Sequence, residues 1–384
     1  MSPGSRTSWL LVISMLMPLS ACSGSSTPVS TPHSPATAAP TPETTPSTEA
    51  IPATRRPDVL DLSFVDPDHG YALVMARMPT GMALAIERTA DGGRTWDVGR
   101  ALWDPGIVEH VVFATRRLGW AFEPGLWVTH DGGRSWRGEV PGGSVAGLGV
   151  AGRSVWALLG RCDGPLGCRP GRFRLSNDAG HSWRTVPLPS GIHDDFVVDF
   201  QRIGSAGWIL TSDYVVGEDR STLLETHDGG ATWSETDSPC MRKAKVGDQY
   251  VGPFIFEEHV SAIDASRVWL LCLTEPAAAM NDGNLFLSVD GGRRWHHSAI
   301  APSGALVLLA ATTIRGGWVA QDSGAYALRH FSTIRGSGRR SMAIDRGHWV
   351  AVRFVDPTHG WAAAGDTVYR TTDGRYWRAV RLVS

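Results

Sequence analysis

Two stretches far apart in the chain carry the same alternation of apolar and polar positions. Leu60, Leu62 and Phe64 alternate with Asp61 and Ser63, and Val350, Val352 and Phe354 alternate with Ala351 and Arg353. A period of two predicts strands. Each run enters a turn and then an aromatic residue. Residues 64–72 read Phe-Val-Asp-Pro-Asp-His-Gly-Tyr-Ala, and residues 354–362 read Phe-Val-Asp-Pro-Thr-His-Gly-Trp-Ala. Looser copies put an aromatic after a turn at Trp120, Trp156, Trp208, Trp269 and Trp318. With Tyr71 and Trp361 that makes seven positions, spaced 36 to 61 residues apart. No helical pattern of ten residues interrupts them after the leader.

A second repeat interleaves with the first. Thr89-Ala90-Asp91-Gly92-Gly93-Arg94-Thr95-Trp96 recurs around Asp131 and Trp136, Asp178 and Trp183, Asp228 and Trp233, and Asp290 and Trp295. The copy at Asp373 and Trp377 is one residue short. A Ser or Thr closes one strand, Asp and Gly make the turn, and Trp opens the next strand. Glycine reaches positive φ without steric cost, and an Asp carboxylate accepts backbone N–H groups a few residues on. Twelve of the sixteen Trp fall in one repeat or the other, so their first duty is packing. Each unit reads as four short strands, and seven such units predict an all-β, seven-bladed β-propeller with four-stranded antiparallel blades. The seven units run from Val59 to Ser384, leaving no spare strand to close the ring by exchange of ends. The sixth unit departs from the pattern, with Ile334 to Arg340 where the Asp turn belongs; a decayed turn is expected there rather than an anion-binding nest.

The N-terminus has a different composition. Arg6 precedes an apolar run from Trp9 to Leu19, too short for a stable span and suited to a secretory signal over residues 1–21. Leu19-Ser20-Ala21-Cys22 resembles a bacterial lipobox, which implies cleavage before Cys22 and acylation of its thiol. The expected location is the extracytoplasmic side of the cell membrane, held by palmitate-type chains. Residues 22–57 are rich in Ser, Thr, Pro and Ala and are expected to form a disordered tether, with the folded domain over 58–384.

Charge and cysteine content narrow the function. The formal net charge of −2 gives no electrostatic case for nucleic acid. Four cysteines remain besides Cys22, namely Cys162, Cys168, Cys240 and Cys272. In an exported domain they suggest two disulfides with three possible pairings. Cys162 with Cys168 would close a small ring in the third unit, and Cys240 with Cys272 is also geometrically sensible. No haem, redox or zincin motif occurs. His296 and His297 are adjacent and would point to opposite faces of a strand, and His69 and His359 occupy equivalent turns. No metal or other cofactor is expected.

The Ser/Thr-x-Asp-x-Gly-x-Thr-Trp pattern resembles the Asp-box, or BNR, repeat. Joined to the Gly-Trp-Ala turn, it is similar to the propellers of photosystem II assembly factors and their bacterial relatives. Sialidases share the box. The resemblance covers residues 58–384 and implies a propeller, a fold that serves many functions. A sialidase would add an arginine triad, a Tyr–Glu pair and an opening Phe/Tyr-Arg-Ile-Pro segment. The last is absent, and Tyr250 and Tyr326 stand without a motif.

In a propeller the first–second and third–fourth turns share one end, and the remaining loops share the other. Long loops of the third to fifth units, with both candidate disulfides, mark that second end as the expected binding face. It would present Arg161, Arg169, Asp194, Asp195 and Arg220, followed by Arg242, Lys243, Asp248 and Tyr250. Stapled loops lose less entropy on binding. The expectation is a monomeric binding or assembly module for an envelope protein or glycan, without catalytic residues. The alternative is a sialidase-like carbohydrate-active enzyme.

Overall fold

In this computed structural model the described residues are 43–44, 57–79, 81–97, 99, 101–104, 106–139, 141–164, 167–189, 196–212, 221–241, 244–246, 249–251, 254–275, 282–301, 306–321, 326–333, 341–344 and 348–382. The leader, Cys22 and the Ile334–Arg340 segment lie outside them. The first described element is β1 (Glu43–Thr44).

Seven four-stranded antiparallel sheets follow in chain order, as the alternation predicts. Blade one is β2 (Asp58–Phe64), β3 (Gly70–Met78), β4 (Gly81–Thr89) and β5 (Ala101–Trp103). Blade two is β6 (His110–Phe113), β7 (Gly119–Phe122), β8 (Leu126–Thr129) and β9 (Trp136–Gly138), with β1 added outside β9 through Thr44 opposite Trp136. Blade three is β10 (Ser144–Ala151), β11 (Ser154–Gly164), β12 (Gly167–Ser176) and β13 (Arg184–Val186). Blade four is β14 (Phe196–Ile203), β15 (Ala206–Ser212), β16 (Ser221–Thr226) and β17 (Ser234–Asp237). A hairpin of β18 (Ala244–Val246) and β19 (Gln249–Val251) leads to blade five: β20 (Phe254–Ala262), β21 (Val268–Glu275), β22 (Asp282–Ser288) and β23 (His296–Ile300). Blade six is β24 (Leu306–Thr313), β25 (Gly316–Gln321), β26 (Ala327–Ser332) and β27 (Ser341–Ala343). Blade seven is β28 (Trp349–Phe354), β29 (Gly360–Ala364), β30 (Thr367–Thr371) and β31 (Arg378–Arg381).

The core is not one mass. It divides into seven clusters, each shared by two neighbouring blades. The two sequence repeats explain this. The aromatic that opens each second strand is wholly buried at Trp120, Trp156, Trp208 and Trp269, and nearly so at Trp318, Trp361 and Tyr71. Several of these rings reach the turn of the following blade. The Trp208 indole donates to the Gly291 carbonyl of blade five at 2.8 Å, and the Tyr71 hydroxyl donates to the Arg116 carbonyl of blade two at 2.6 Å. Blade five's Trp269 donates to the Thr313 carbonyl of blade six at 3.0 Å.

The Asp turns are built as the residues require. The Asp131 carboxylate accepts the N–H groups of Arg134 and Ser135 and the hydroxyls of Thr129 and Ser135. Gly132 and Gly133 take φ of +75° and +80°, which side chains avoid. The shortened turn of blade seven keeps the same capture, with Asp373 accepting N–H groups of Arg375 and Tyr376. His69 and His359 are turn residues, each ring bonded to the Asp three residues before it.

Polar residues on the innermost strands stitch the blades together, which the alternation does not show. Asp61 accepts the Val111 N–H of blade two, Asp199 that of Val260 and Ser261 that of Ala311. Asp61 and Asp199 stand at register shifts in the first–second strand pairing of their blades, where a bulge re-aims a side chain.

Among the described residues the ring closes without strand exchange. Blades one and seven each come from one end of the chain and meet through side chains. Arg353 reaches Asp61 at 2.8 Å, Phe64 stacks on Trp361 with ring centres 3.6 Å apart, and the Val59 N–H bonds the Gly365 carbonyl. His110 of blade two joins the same carboxylate at 3.3 Å. Burial pushes the Asp61 acid up, but Arg353 and His110 outweigh it and hold it below the ordinary carboxylate range.

Candidate functional site

The expected binding face is described only in part. Asp194, Asp195, Arg220, Arg242, Lys243 and Asp248 lie outside the described residues, and so does the side chain of Tyr250, whose backbone pairs with Lys245 in the β18–β19 hairpin. Arg161 is exposed on β11, opposite Arg169 on β12, and the Arg169 guanidinium sits 4.7 Å from the centre of the Phe196 ring. Cys240 and Cys272 form a disulfide that ties the exit of blade four to the second strand of blade five. Cys168 is buried and disulfide-bonded, while the Cys162 side chain lies outside the described residues. Among the described residues no group of His, Cys, Asp or Glu is arranged to hold a metal ion. His296 and His297 are both exposed on β23.

A cavity of about 300 Å³ lies at the other end, where the Asp turns are. It opens between blades one and two. Blade one supplies His69, Tyr71, Arg88, Asp91 and Asp97, and blade two supplies Arg116, Gly132 and Arg134. The volume is at the lower limit of small-ligand pockets.

Three arginines line this space from different elements. Arg116 lies in the turn between β6 and β7 and holds Asp66 of blade one through Nε and Nη2, each at 3.1 Å. Arg134 follows the glycines of blade two's Asp turn and donates to the Asp131 carbonyl at 2.7 Å. Arg88 is the penultimate residue of β4, paired with Tyr71, and its Nη1 is buried without a hydrogen-bond partner.

The carboxylates nearby are already engaged. Burial pushes Asp66 up, but the His69 ring, the N–H groups of Asp68 and His69, and Arg116 outweigh it and hold it at about 2. Asp91 is likewise raised by burial, then brought down to about 2 by the Thr95 hydroxyl and N–H, the Thr89 hydroxyl and the Arg94 N–H. The Tyr71 phenol is pushed up by burial, against the pull of Arg88, Arg134 and Arg116. It stays protonated and donates to the Arg116 carbonyl.

Arg370 is the blade-seven counterpart of Arg88. It occupies the equivalent position on β30, paired with Trp361 as Arg88 is paired with Tyr71. Its Nη1 reaches the Asp91 carbonyl of the next blade at 3.4 Å. Arg88 makes no such contact with the corresponding Asp131 carbonyl, which accepts only from Arg134 among the described residues, whereas the Asp91 carbonyl accepts from both Arg94 and Arg370. One repeat position thus gives a satisfied guanidinium at one blade boundary and an unsatisfied one at the next. The sequence signal was an Arg before the turn Thr, in Arg88-Thr89 and Arg370-Thr371 alone; only the fold shows what each side chain meets.

No family model matches the chain, and no curated protein matches it in sequence. Solved structures match its fold. YCF48 bound to a D1 peptide is 19% identical with a TM-score of 0.56, over 85% of this chain and 96% of that one. YCF48 from Cyanidioschyzon merolae is 14% identical with a TM-score of 0.52, over 85% and 98%. The β-propeller domain of the Trilobed protease from Pyrococcus furiosus, whose ring has an open velcro topology, is 7% identical with a TM-score of 0.54, over 88% and 98%. The chain is a seven-bladed β-propeller. At these identities the likeness is one of fold.

Proposed function

We propose that this chain is an exported, lipid-anchored propeller that acts as a binding and assembly module at the cell envelope. It holds a carboxylate-bearing segment of another protein in the cavity between blades one and two. The observation that carries this reading is the buried Arg88 Nη1 without a partner at the wall of that cavity. An unpaired buried donor costs about 1–3 kcal/mol, and more for a charged group. A guanidinium is planar and matches a carboxylate through two parallel hydrogen bonds. Arg134 lies beside it to share the load, and Asp66 and Asp91 are occupied by their own turns. The YCF48 propeller carrying a D1 peptide supports the idea that a ring of this architecture can take a peptide. The Cys22 lipobox and the leader support the location.

The test is a peptide panel in which each member is made with a free and with an amidated C-terminus, alongside Asp- and Glu-containing sequences. Binding is read by calorimetry. Binders are expected that lose affinity on amidation or on replacement of their acids, and lose it again in Arg88→Gln and Arg134→Gln. A panel in which carboxylates make no difference sinks the proposal. Glycans run through the same measurement, with turnover assayed, test the carbohydrate-active alternative. Metabolic palmitate labelling of the wild type and of Cys22→Ser tests the anchor.

A further inference from the structure

The Asp-turn end of blades five to seven differs from the rest of the surface. Five large apolar side chains are exposed among the described residues, and three of them stand here on consecutive blades. Val289 is 56% exposed in the Asp turn of blade five. Ile314 is 41% exposed in the first turn of blade six, and Tyr376 is 71% exposed in the short Asp turn of blade seven. Each projects from the tip of a different turn. Exposed arginines accompany them: Arg293 and Arg294 beside Val289, Arg315 next to Ile314, and Arg375 next to Tyr376.

The acids at this end are engaged within their own turns, by backbone N–H groups and, at Asp264 and Asp356, also by the Arg267 and His359 side chains. Asp290 accepts the Arg294 N–H and the Ser288 hydroxyl, and Asp373 accepts the N–H groups of Arg375 and Tyr376. Asp264 holds Ser266 and Arg267, and Asp356 holds Thr358 and His359. The guanidiniums of Arg293, Arg294, Arg315 and Arg375 form no ion pair among the described residues.

We infer that this end of blades five to seven docks on an anionic lipid surface. Separate apolar tips between arginines suit a soft, flat layer into which each tip sinks a short way while the cations meet phosphates. A protein partner would call for a contiguous, shape-matched patch or pocket instead. A tyrosine at a tip suits the headgroup level, with an apolar ring and a polar end. The inference rests on residues that do not line the Arg88 cavity and does not depend on lipidation.

The test uses the compact unit Thr41–Ser384, which holds all seven blades and excludes the apolar leader. Its partition is measured on vesicles of phosphatidylcholine alone and of phosphatidylcholine mixed with phosphatidylglycerol. Partition is expected only where phosphatidylglycerol is present, and it should fall as salt rises. The triple change Arg293→Gln, Arg315→Gln and Arg375→Gln should weaken it on the order of a hundredfold, at about fivefold per charge. Val289→Ser with Ile314→Ser and Tyr376→Ser should weaken it roughly tenfold. Ile300→Ser, at an exposed apolar residue at the far end of β23, should change nothing. Absence of partition into the anionic vesicles overturns the proposal. So does partition that neither set of replacements affects, and so does capture on immobilised polyglutamate without vesicle binding.

Discussion

The indole nitrogen of Trp361 donates to the carbonyl oxygen of Gly92 at 2.9 Å, joining residues 269 positions apart in the chain. This bond spans the seam between blade seven and blade one, where no strand is shared. Trp361→Phe keeps most of the packing and should lower stability by about 1 kcal/mol, the value of one hydrogen bond. Trp361→Ala also empties the shared core and should cost roughly 3–5 kcal/mol. Equilibrium denaturation checks both, and equal losses would mean that packing is irrelevant at the seam.

The Asp turns set the acid limit of stability. Asp228 is held at about 2, first by the Thr232 hydroxyl and N–H and then by the Thr226 hydroxyl. Asp91 is also held at about 2. Such lowered acids stabilise the fold above their unfolded pKa, and that contribution is lost as pH falls between about 4 and 2. Denaturation midpoints should drop through that window. Asp228→Asn should start lower and lose less on acidification.

Glu258 produces the opposite slope. It is buried, and burial pushes its pKa up to about 8 against the pull of the Ser221 hydroxyl at 2.5 Å. Burial likewise raises Glu87 to about 7. These acids keep their proton in the fold at pH values where the unfolded chain has lost it, so their contribution is complete below the unfolded pKa of about 4 and is lost progressively as pH rises from there through 7 for Glu87 and 8 for Glu258. The slope approaches about 1.4 kcal/mol per pH unit for one such group. Glu258→Gln should remove its share of the decline between pH 5 and pH 8. An unchanged slope in that variant would show that Glu258 is ionised in the native ring.

Arg88 separates stability from binding. Its Nη1 has no partner to lose, so Arg88→Met should leave unfolding within about 1 kcal/mol of the wild type or raise it. Arg370→Met, which breaks a bond to the Asp91 carbonyl, should destabilise by more. The same Arg88 variant should lose the carboxylate-dependent peptide binding. A large loss of stability in Arg88→Met would identify the guanidinium as structural.

The Cys240–Cys272 disulfide spans 32 positions of sequence. Closing a loop of that size stabilises by roughly 3–4 kcal/mol through the unfolded chain. Cys240→Ser with Cys272→Ser should lose a comparable amount in denaturant titration, and dithiothreitol, which also reduces the Cys168 bridge, should cost the wild type at least as much. No change under either treatment would show that the closed loop contributes nothing.

Much of the fold was legible along the chain because its signals are local. The alternation around Leu62 and Val352, the Asp-Gly-Gly turns and the recurring aromatics each need only their neighbours in sequence. The candidate site was much less legible. The loop residues chosen for charge, such as Arg242 and Asp248, fall outside the described residues. The cavity instead gathers Tyr71, Arg88, Arg116 and Arg134 from two strands and two turns that no short motif connects.

The sequence by itself determined the strands of the seven blades and the turn chemistry, since backbone preference and side-chain period act over a few residues, but not β1 or the β18–β19 hairpin. The tertiary structure decided which repeat meets which. It placed Trp361 on Gly92, selected Cys272 for Cys240 among three pairings, and left Arg88 unpaired where Arg370 is bonded. Those choices depend on how each blade packs against the next around a closed ring, a relation between residues distant along the chain.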